Sequence, residues 1–207
     1  MSRKTKSPTA EQYTNLQAAY DYFNEVLFDK TLADCIITLR SHGKRTLGLF
    51  HAEQWQHGAD TCHEIALSPA HLRRPVRDVF GTLVHEMCHL WQQDHGKPSR
   101  SGYHNREWGT KMKEVGLHPS HTGEPGGKEV GQQMTHYIVE GGPFDVAVDA
   151  MPDSVLLPWV GVEPVEKEKK SSNKVKYHCP TCDVTAWGKG GILLLCGNCE
   201  EELEAQE

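Results

Sequence analysis

The residues most able to do chemistry lie together in one short segment, His85-Glu86-Met87-Cys88-His89. Two histidines four positions apart lie on the same face of an α-helix, where their imidazoles can bind one zinc ion. The carboxylate of Glu86 lies beside them and can act as a base toward a water molecule on that ion. The alternative for the segment taken alone is a buried helix that carries two histidines by chance.

Hydrophobic periodicity around this segment predicts the helix that the two histidines require. Between Pro75 and Gln93 the apolar residues recur at steps of three and four positions, which is the period of an α-helix. Pro75 suits the first turn of such a helix, because its missing N–H is not needed there. The apolar residues are Val76, Val79, Phe80, Leu83, Val84, Met87, Leu90 and Trp91.

A catalytic zinc needs a third protein ligand, because such sites hold the metal with three side chains and leave a fourth position for water. Gly96 and Pro98 predict the end of the first helix and a turn. A second helix then begins near His104, and a hairpin of two helices would return His104 toward the first. His104 is therefore the best-placed candidate, and His95 is interpreted as a capping or surface residue. The other histidine candidates downstream are His118, His121 and His136.

A second metal site is predicted near the C-terminus, where two C-x-x-C pairs are separated by thirteen residues. Each pair forms a tight turn that directs two thiolates at one ion, and four cysteines complete a tetrahedron. This zinc is therefore predicted to be structural, and a redox pair is the less favoured alternative. We expect residues 184–195 to form a short hairpin, and so small a unit would depend on its metal to fold. The four ligands are Cys179, Cys182, Cys196 and Cys199.

Two of these segments together resemble the SprT-like (Spartan-type) family of zinc metalloproteases. His85-Glu86-Met87-Cys88-His89 matches the H-E-M-x-H element of the family. Gly102-Tyr103-His104, followed shortly by Trp108, matches its Gly-x-His element with a nearby aromatic residue. Residues 23–28, residues 64–68 and the cysteine ribbon also look like the family.

The resemblance assigns roles to the candidate residues. It implies that His85, His89 and His104 bind a catalytic zinc ion and that Glu86 is the catalytic acid and base. The helix argument supports the first two histidines and the glutamate independently, whereas His104 depends more on the family. The resemblance also implies proteases that act on proteins attached to DNA, with DNA as the activator.

A helix and a small sheet are the elements expected to position this site. Residues 8–27 have an apolar face at helical spacing and predict a scaffold helix. Residues 35–39, 46–51 and 64–68 are β-rich and predict a three-stranded antiparallel sheet. In zinc peptidases the strand before the active-site helix often holds an extended substrate. By resemblance, residues 64–68 are the candidate for an edge strand that binds peptide, and an ordinary strand of the sheet is the alternative.

The sequence after the second helix is more irregular. Residues 117–131 are rich in glycine, proline and histidine and predict a long loop at the border of the site. Residues 135–139 predict a further strand, on which His136 or Tyr137 could stabilise an oxyanion, although packing is the simpler role for either. Residues 145–162 are expected to wrap around the first domain.

The chain of 207 residues is long enough for one α+β domain and a small appendage. We predict a zincin-like metalloprotease domain over residues 8–162, a charged linker over 163–174 and a zinc ribbon over 175–200. No long apolar run indicates a membrane span, and no apolar stretch follows the basic N-terminus as a secretory signal requires. Four of the seven cysteines form the metal pattern, so disulfides are not implied and a reducing cytoplasm is expected.

Charge gives only partial support for a nucleic-acid partner. The formal net charge is −6, but residues 167–176 are mostly basic, and Tyr177 and Trp187 of the ribbon could stack on bases. Together with the resemblance, these features predict a DNA partner, single-stranded or containing a junction, in addition to a protein substrate.

Two functions remain open from the sequence. The first is a DNA-associated zinc endopeptidase that cleaves DNA–protein crosslinks, with one catalytic and one structural zinc. The second is a non-enzymatic DNA- or protein-binding adaptor with two structural zinc sites. The presence of Glu86 favours the enzyme, because a structural site has no need of a carboxylate at that position.

Overall fold

The computed structural model describes residues 7–41, 43, 45–161 and 174–206. The chain divides into two compact units, residues 1–161 and 162–207. The helices and strands of the first unit are α1 (Pro8–Phe28), β1 (Cys35–Leu39), β2 (Gly48–His57), β3 (Asp60–Leu67), α2 (Val76–His95), α3 (Arg106–Glu114), β4 (Leu117–Ser120), β5 (Thr135–Ile138) and α4 (Pro143–Asp149). The strands of the second unit are β6 (Lys174–His178), β7 (Thr185–Lys189) and β8 (Glu204–Gln206).

This combination of helices and small sheets confirms the predicted α+β class, while the likeness to zincins stays a prediction. The linker predicted over residues 163–174 lies outside the described residues, except that Lys174 begins β6.

Helix α1 is the scaffold of the first unit, because its apolar face forms one side of the main hydrophobic core. Tyr20 and Phe23 are 1% and 0% exposed. The ring centroid of Phe23 lies 5.5 Å from that of Phe80 on α2 and 5.8 Å from that of Phe144 on α4. One buried side chain therefore connects three helices, and its burial contributes about 1.5–3 kcal/mol.

The segment after α4 wraps around α1, as predicted for residues 145–162. The side chain of Gln12 forms two hydrogen bonds with the backbone of Trp159, both 3.0 Å long. Asn15 donates to the carbonyl of Leu156 over 2.6 Å. These bonds satisfy backbone groups in a segment that has little regular structure of its own.

The sheet of the first unit has the strand order β1-β3-β2 and is mixed rather than antiparallel. β2 and β3 form an antiparallel hairpin, and β3 then inserts beside β1, with which it pairs in parallel. The prediction of an antiparallel sheet is therefore wrong. Side-chain alternation reports which face of a strand is buried, and it carries no information on the direction of the neighbouring strand.

The prediction that residues 64–68 form a substrate-binding edge strand is also wrong. Most of this segment belongs to β3, which is hydrogen-bonded on both sides, so its backbone groups are not available to a peptide. β2 is an edge strand instead, and it packs against α2. At Gly48 of β2, a Cβ atom would come within 2.9 Å of the Glu86 side chain. The edge beside the H-E-x-x-H helix is therefore β2.

Helices α2 and α3 form the predicted helical hairpin. α2 ends at His95, and α3 begins at Arg106, two residues after His104. β4 and β5 pair antiparallel along their whole length. Residues 117–120 are therefore a strand rather than part of the predicted loop, while β5 confirms the strand predicted over residues 135–139.

The second unit is a three-stranded antiparallel sheet with two cysteine turns. β6 lies at the centre, between β7 and β8. β7 therefore pairs with β6, the strand before the first cysteine pair, and not with a strand inside residues 184–195. The prediction of a hairpin within residues 184–195 is wrong. Among the described residues of this unit, the hydrophobic core has four buried residues, which are Tyr177, Cys179, Cys196 and Leu203.

We expect Phe23→Ala to lower the free energy of unfolding by about 3–5 kcal/mol, because the cavity would lie where three helices meet. Urea denaturation followed by circular dichroism measures this loss. Tyr13→Ala is the matched control, since Tyr13 lies on the same helix and is 41% exposed, and it should change the free energy by no more than about 0.5 kcal/mol. Similar losses in the two variants would contradict the central place of Phe23 in the core.

Candidate metal centre

Helix α2 carries the H-E-x-x-H segment through the interior of the first unit. Every residue from Val79 to Cys88 is buried, including His85 and Glu86, which are 8% and 6% exposed. This confirms the helix predicted from apolar spacing. Because protein interiors are close-packed, the polar side chains on this helix have little freedom to move.

His85, His89 and His104 converge at one point. One ring nitrogen of each histidine lies within 4.8 Å of those of the other two. The structure therefore brings together the three histidines predicted as ligands. His95 is not among them, because its Nε2 lies 3.0 Å from the carbonyl oxygen of Thr31.

A polar network at the turn between α2 and α3 fixes the position of His104. Gln92, which is 2% exposed, donates to the side chains of Asn105 (2.7 Å) and Glu107 (2.8 Å). Asn105 also caps α3 by accepting a hydrogen bond of 3.0 Å from the N–H of Trp108. Since His104 directly precedes this cap, the network sets the point at which its side chain enters the site.

The imidazole of His104 is oriented by Gly131. The backbones of these two residues exchange hydrogen bonds of 2.8 and 3.1 Å, and Nδ1 of His104 lies 3.2 Å from the Gly131 carbonyl oxygen. When Nδ1 carries the proton and donates it to that carbonyl, Nε2 is the nitrogen available to a metal. No local sequence pattern points to Gly131, because the two residues are 27 positions apart.

The indole ring of Trp108 contacts all three imidazoles. Its centroid lies 4.9 Å from that of His85, 5.2 Å from that of His89 and 4.4 Å from that of His104. Trp108 is itself fully buried. It therefore limits the rotation of the three rings and excludes water from one side of the site.

Burial keeps the three imidazoles neutral. It lowers the pKa of His85 well below its ordinary value and the pKa of His89 to about 3, with a further decrease from neighbouring histidines. Burial also lowers the pKa of His104, although its hydrogen bond to Gly131 acts in the opposite direction. Because a metal binds the neutral form of histidine, the site can take a cation without first releasing protons.

The carboxyl group of Glu86 lies in the same buried environment. Burial raises its pKa to about 8, and a bound cation would lower that pKa by favouring the carboxylate. An ideal Cβ at Gly48 would lie 2.9 Å both from Oε1 of Glu86 and from Cγ2 of Thr82. The lack of a side chain at Gly48 therefore lets the edge strand β2 approach Glu86 closely.

The four cysteines of the second unit form a separate cluster, in which the Sγ atoms lie within 4.8 Å of one another. Each C-x-x-C turn ends in a left-handed residue, Asp183 (φ 57°) or Glu200 (φ 59°), whose N–H donates to the carbonyl of the first cysteine of that turn. The N–H groups of Asn198 and Cys199 lower the pKa of Cys196 to about 7, which favours its thiolate.

The two donor sets fit zinc in different ways. Four thiolates complete a tetrahedron and fit a structural ion, whereas three imidazoles fit an ion that keeps one position open. Both clusters contain the residues that the sequence predicted for them.

A comparison with known protein families identifies the family of this chain. The SprT-like family matches residues 16–131, a range that includes H-E-x-x-H, His104 and Gly131. The chain therefore belongs to the SprT-like family.

One curated relative shares a short region with this chain. Over 41 residues the chain is 56% identical to an uncharacterized protein in the mucB 3′ region of Salmonella typhimurium. That region covers 20% of this chain and 54% of the relative. No solved structure matches this chain.

Across the described residues, the helices are too short or too polar to span a membrane.

We expect the purified protein to bind two zinc ions and each of His89→Ala and Cys196→Ser to bind one. Only Cys196→Ser should unfold the second unit, because two of the four described core residues in that unit are proposed cysteine ligands. Elemental analysis gives the zinc content, and the dispersion of amide NMR signals reports folding. Cys62→Ser, at a cysteine outside both clusters, should keep two ions. A folded second unit in Cys196→Ser would argue against a metal-dependent fold.

Proposed function

We propose that this chain is a zinc-dependent endopeptidase of SprT-like type, associated with DNA and able to cleave DNA–protein crosslinks. The observation that carries the proposal is the convergence of three buried or half-buried imidazoles within 4.8 Å of one another, with Glu86 on the same helix as two of them. Three histidines with an open fourth position are typical of catalytic zinc sites. Family membership supports peptide bonds as the target.

A zinc ion bound by these histidines would polarise a peptide carbonyl and lower the pKa of a water molecule. Glu86 is proposed to accept a proton from that water and to deliver it to the nitrogen of the leaving amine. Burial and the cation shift the pKa of Glu86 in opposite directions. A pKa near the working pH suits a group that must first accept a proton and then donate it.

The edge strand β2 is the proposed binding site for an extended peptide. β2 pairs with β3 on one side only, and its backbone approaches the Glu86 side chain at Gly48. Backbone hydrogen bonds to an edge strand give affinity without requiring a particular sequence. The register shifts between His51 and Trp55, so the regular part of this edge is the first half of β2, next to Glu86.

The support for a DNA partner comes from one face of the second unit. Lys174 pairs with Lys189 and Lys176 pairs with Trp187, so these four side chains share one face of β6 and β7. Trp187 is 65% exposed. An exposed indole among lysines suits single strands, because the ring stacks on bases while the cations neutralise phosphates.

The first test is cleavage of a DNA-bound protein by the wild type and by Glu86→Gln, with and without single-stranded DNA. We expect Glu86→Gln to retain both zinc ions but to lose about 10²–10⁴-fold in rate, the usual contribution of a general acid–base group. Glu140→Gln changes an exposed glutamate outside the site and should cleave like the wild type.

Equal rates for the wild type and Glu86→Gln would contradict the enzyme proposal. If the wild type binds two zinc ions and DNA but cleaves nothing, the non-enzymatic adaptor becomes the better description. Cleavage that is indifferent to DNA would keep the peptidase and remove DNA as its activator.

We expect Trp187→Ala to weaken the binding of a single-stranded oligonucleotide by about 1–3 kcal/mol, the value of one stacked base. Fluorescence anisotropy at a fixed salt concentration measures the change. Leu193→Ala is the matched control, because Leu193 is 66% exposed in the same unit but lies outside its three strands. Equal weakening in both variants would count against the lysine and tryptophan face as the binding surface.

A further inference from the structure

A fourth histidine contacts the histidine cluster without belonging to it. His136 lies on β5, and its Nδ1 is 3.3 Å from Nδ1 of His85. The centroids of the two rings are 5.5 Å apart, with 42° between their planes. In the part of the chain that the structure describes, the ring nitrogens grouped within 4.8 Å are those of His85, His89 and His104. His136 therefore touches one of the three proposed ligands rather than the metal position.

This contact determines which nitrogen of His85 faces the metal. An imidazole that binds a metal through one nitrogen carries its proton on the other, and that N–H normally donates to a fixed acceptor. His85 directs Nδ1 at His136, so Nε2 is the nitrogen that remains for zinc. When the proton of His136 is on its own Nε2, its Nδ1 is an acceptor for the N–H of His85.

A second proposed ligand, His104, also has a hydrogen-bond acceptor for its Nδ1. Nδ1 of His104 lies 3.2 Å from the carbonyl oxygen of Gly131. In both cases Nδ1 has a protein partner and Nε2 is left for the metal. The two acceptors lie in different segments, because Gly131 forms an isolated bridge with His104 and His136 lies on β5.

Helix α2 has a gap that accommodates the His136 ring. Gly81 lies one turn before His85 in the interior of α2, where glycine is an unfavourable residue. A Cβ atom at Gly81 would lie 2.9 Å from Nε2 of His136, and 3.7 Å from the Phe144 ring. Any larger residue would therefore force the His136 ring to move away from the helix that carries His85.

We propose that His136 is a positioning residue, which fixes the tautomer and the orientation of His85, and that Gly81 is required because it leaves room for the His136 ring. The inference rests on the proposed zinc site. It differs from the oxyanion role considered for His136 from the sequence, since the Nδ1 of His136 is engaged with a metal ligand.

The test compares His136→Asn with His136→Leu in the full-length chain. Asparagine keeps an acceptor oxygen near the position of Nδ1, whereas leucine has no acceptor. We expect His136→Leu to weaken zinc binding at the histidine site about 10- to 100-fold, as loss of an outer partner does in other metal sites, and His136→Asn to recover most of that loss. Competition with a chelator measures the affinity, and the cysteine site is the internal reference.

Cobalt substitution gives a readout that packing alone would not change. The visible absorption of Co²⁺ at the histidine site depends on ligand geometry, so it should shift in His136→Leu and return toward the wild-type spectrum in His136→Asn. Gly81→Ala should weaken zinc binding in the same direction as His136→Leu, although alanine is the better helix former. Tyr137→Leu is the matched control, because the Tyr137 ring stacks on His118 rather than His85.

Unchanged zinc affinity and an unchanged cobalt spectrum in His136→Leu would overturn the inference. A lower unfolding temperature with unchanged zinc affinity would assign His136 to packing and would overturn it as well. A wild-type protein that binds zinc only at the cysteine site would refute the proposed function together with this inference, and the wild-type measurement alone identifies that outcome.

Discussion

The first unit depends on one constraint, which is that three neutral imidazoles must meet in an interior from which most water is excluded. Two of them come from one helix, where their spacing is fixed by the helical repeat. The third, His104, arrives through the turn that Gln92 and Asn105 hold together. The surrounding core, with Phe23 at the junction of α1, α2 and α4, keeps α2 in place. Because burial lowers the pKa values of the imidazoles, they are neutral and can bind a cation.

The two metal clusters differ in how they are built, and this difference suits different roles. The cysteine cluster is local, because each C-x-x-C turn positions two thiolates through its own backbone. The histidine cluster is assembled from separated segments that a large core holds. The described part of the second unit has four core residues, so a bound metal would have to supply the stability that packing cannot. The first unit can form its site by packing, so a metal bound there would keep a coordination position open for the proposed substrate.

The sheet of the first unit differs from the prediction made from the sequence. Residues 64–68 have the composition of a strand that could line a cleft, yet β3 lies between two partners. β2 is the strand beside Glu86, and Gly48 is the position that permits the close approach. Strand order depends on which segments meet over long separations, and a local pattern of apolar residues does not encode that choice. The mixed direction of the sheet escaped prediction for the same reason.

The local features of this protein could be predicted from its sequence. The sequence predicted the helix of H-E-x-x-H, the two cysteine turns, the α+β class and the family, because each depends on residues a few positions apart or on a short motif. The hydrogen-bond acceptors of the proposed ligands, Gly131 for His104 and His136 for His85, are known only from the folded structure. The folded structure also places the indole of Trp108 against all three imidazoles. These contacts join positions that the chain brings together only when it packs, so their geometry is set by the whole core rather than by any local pattern.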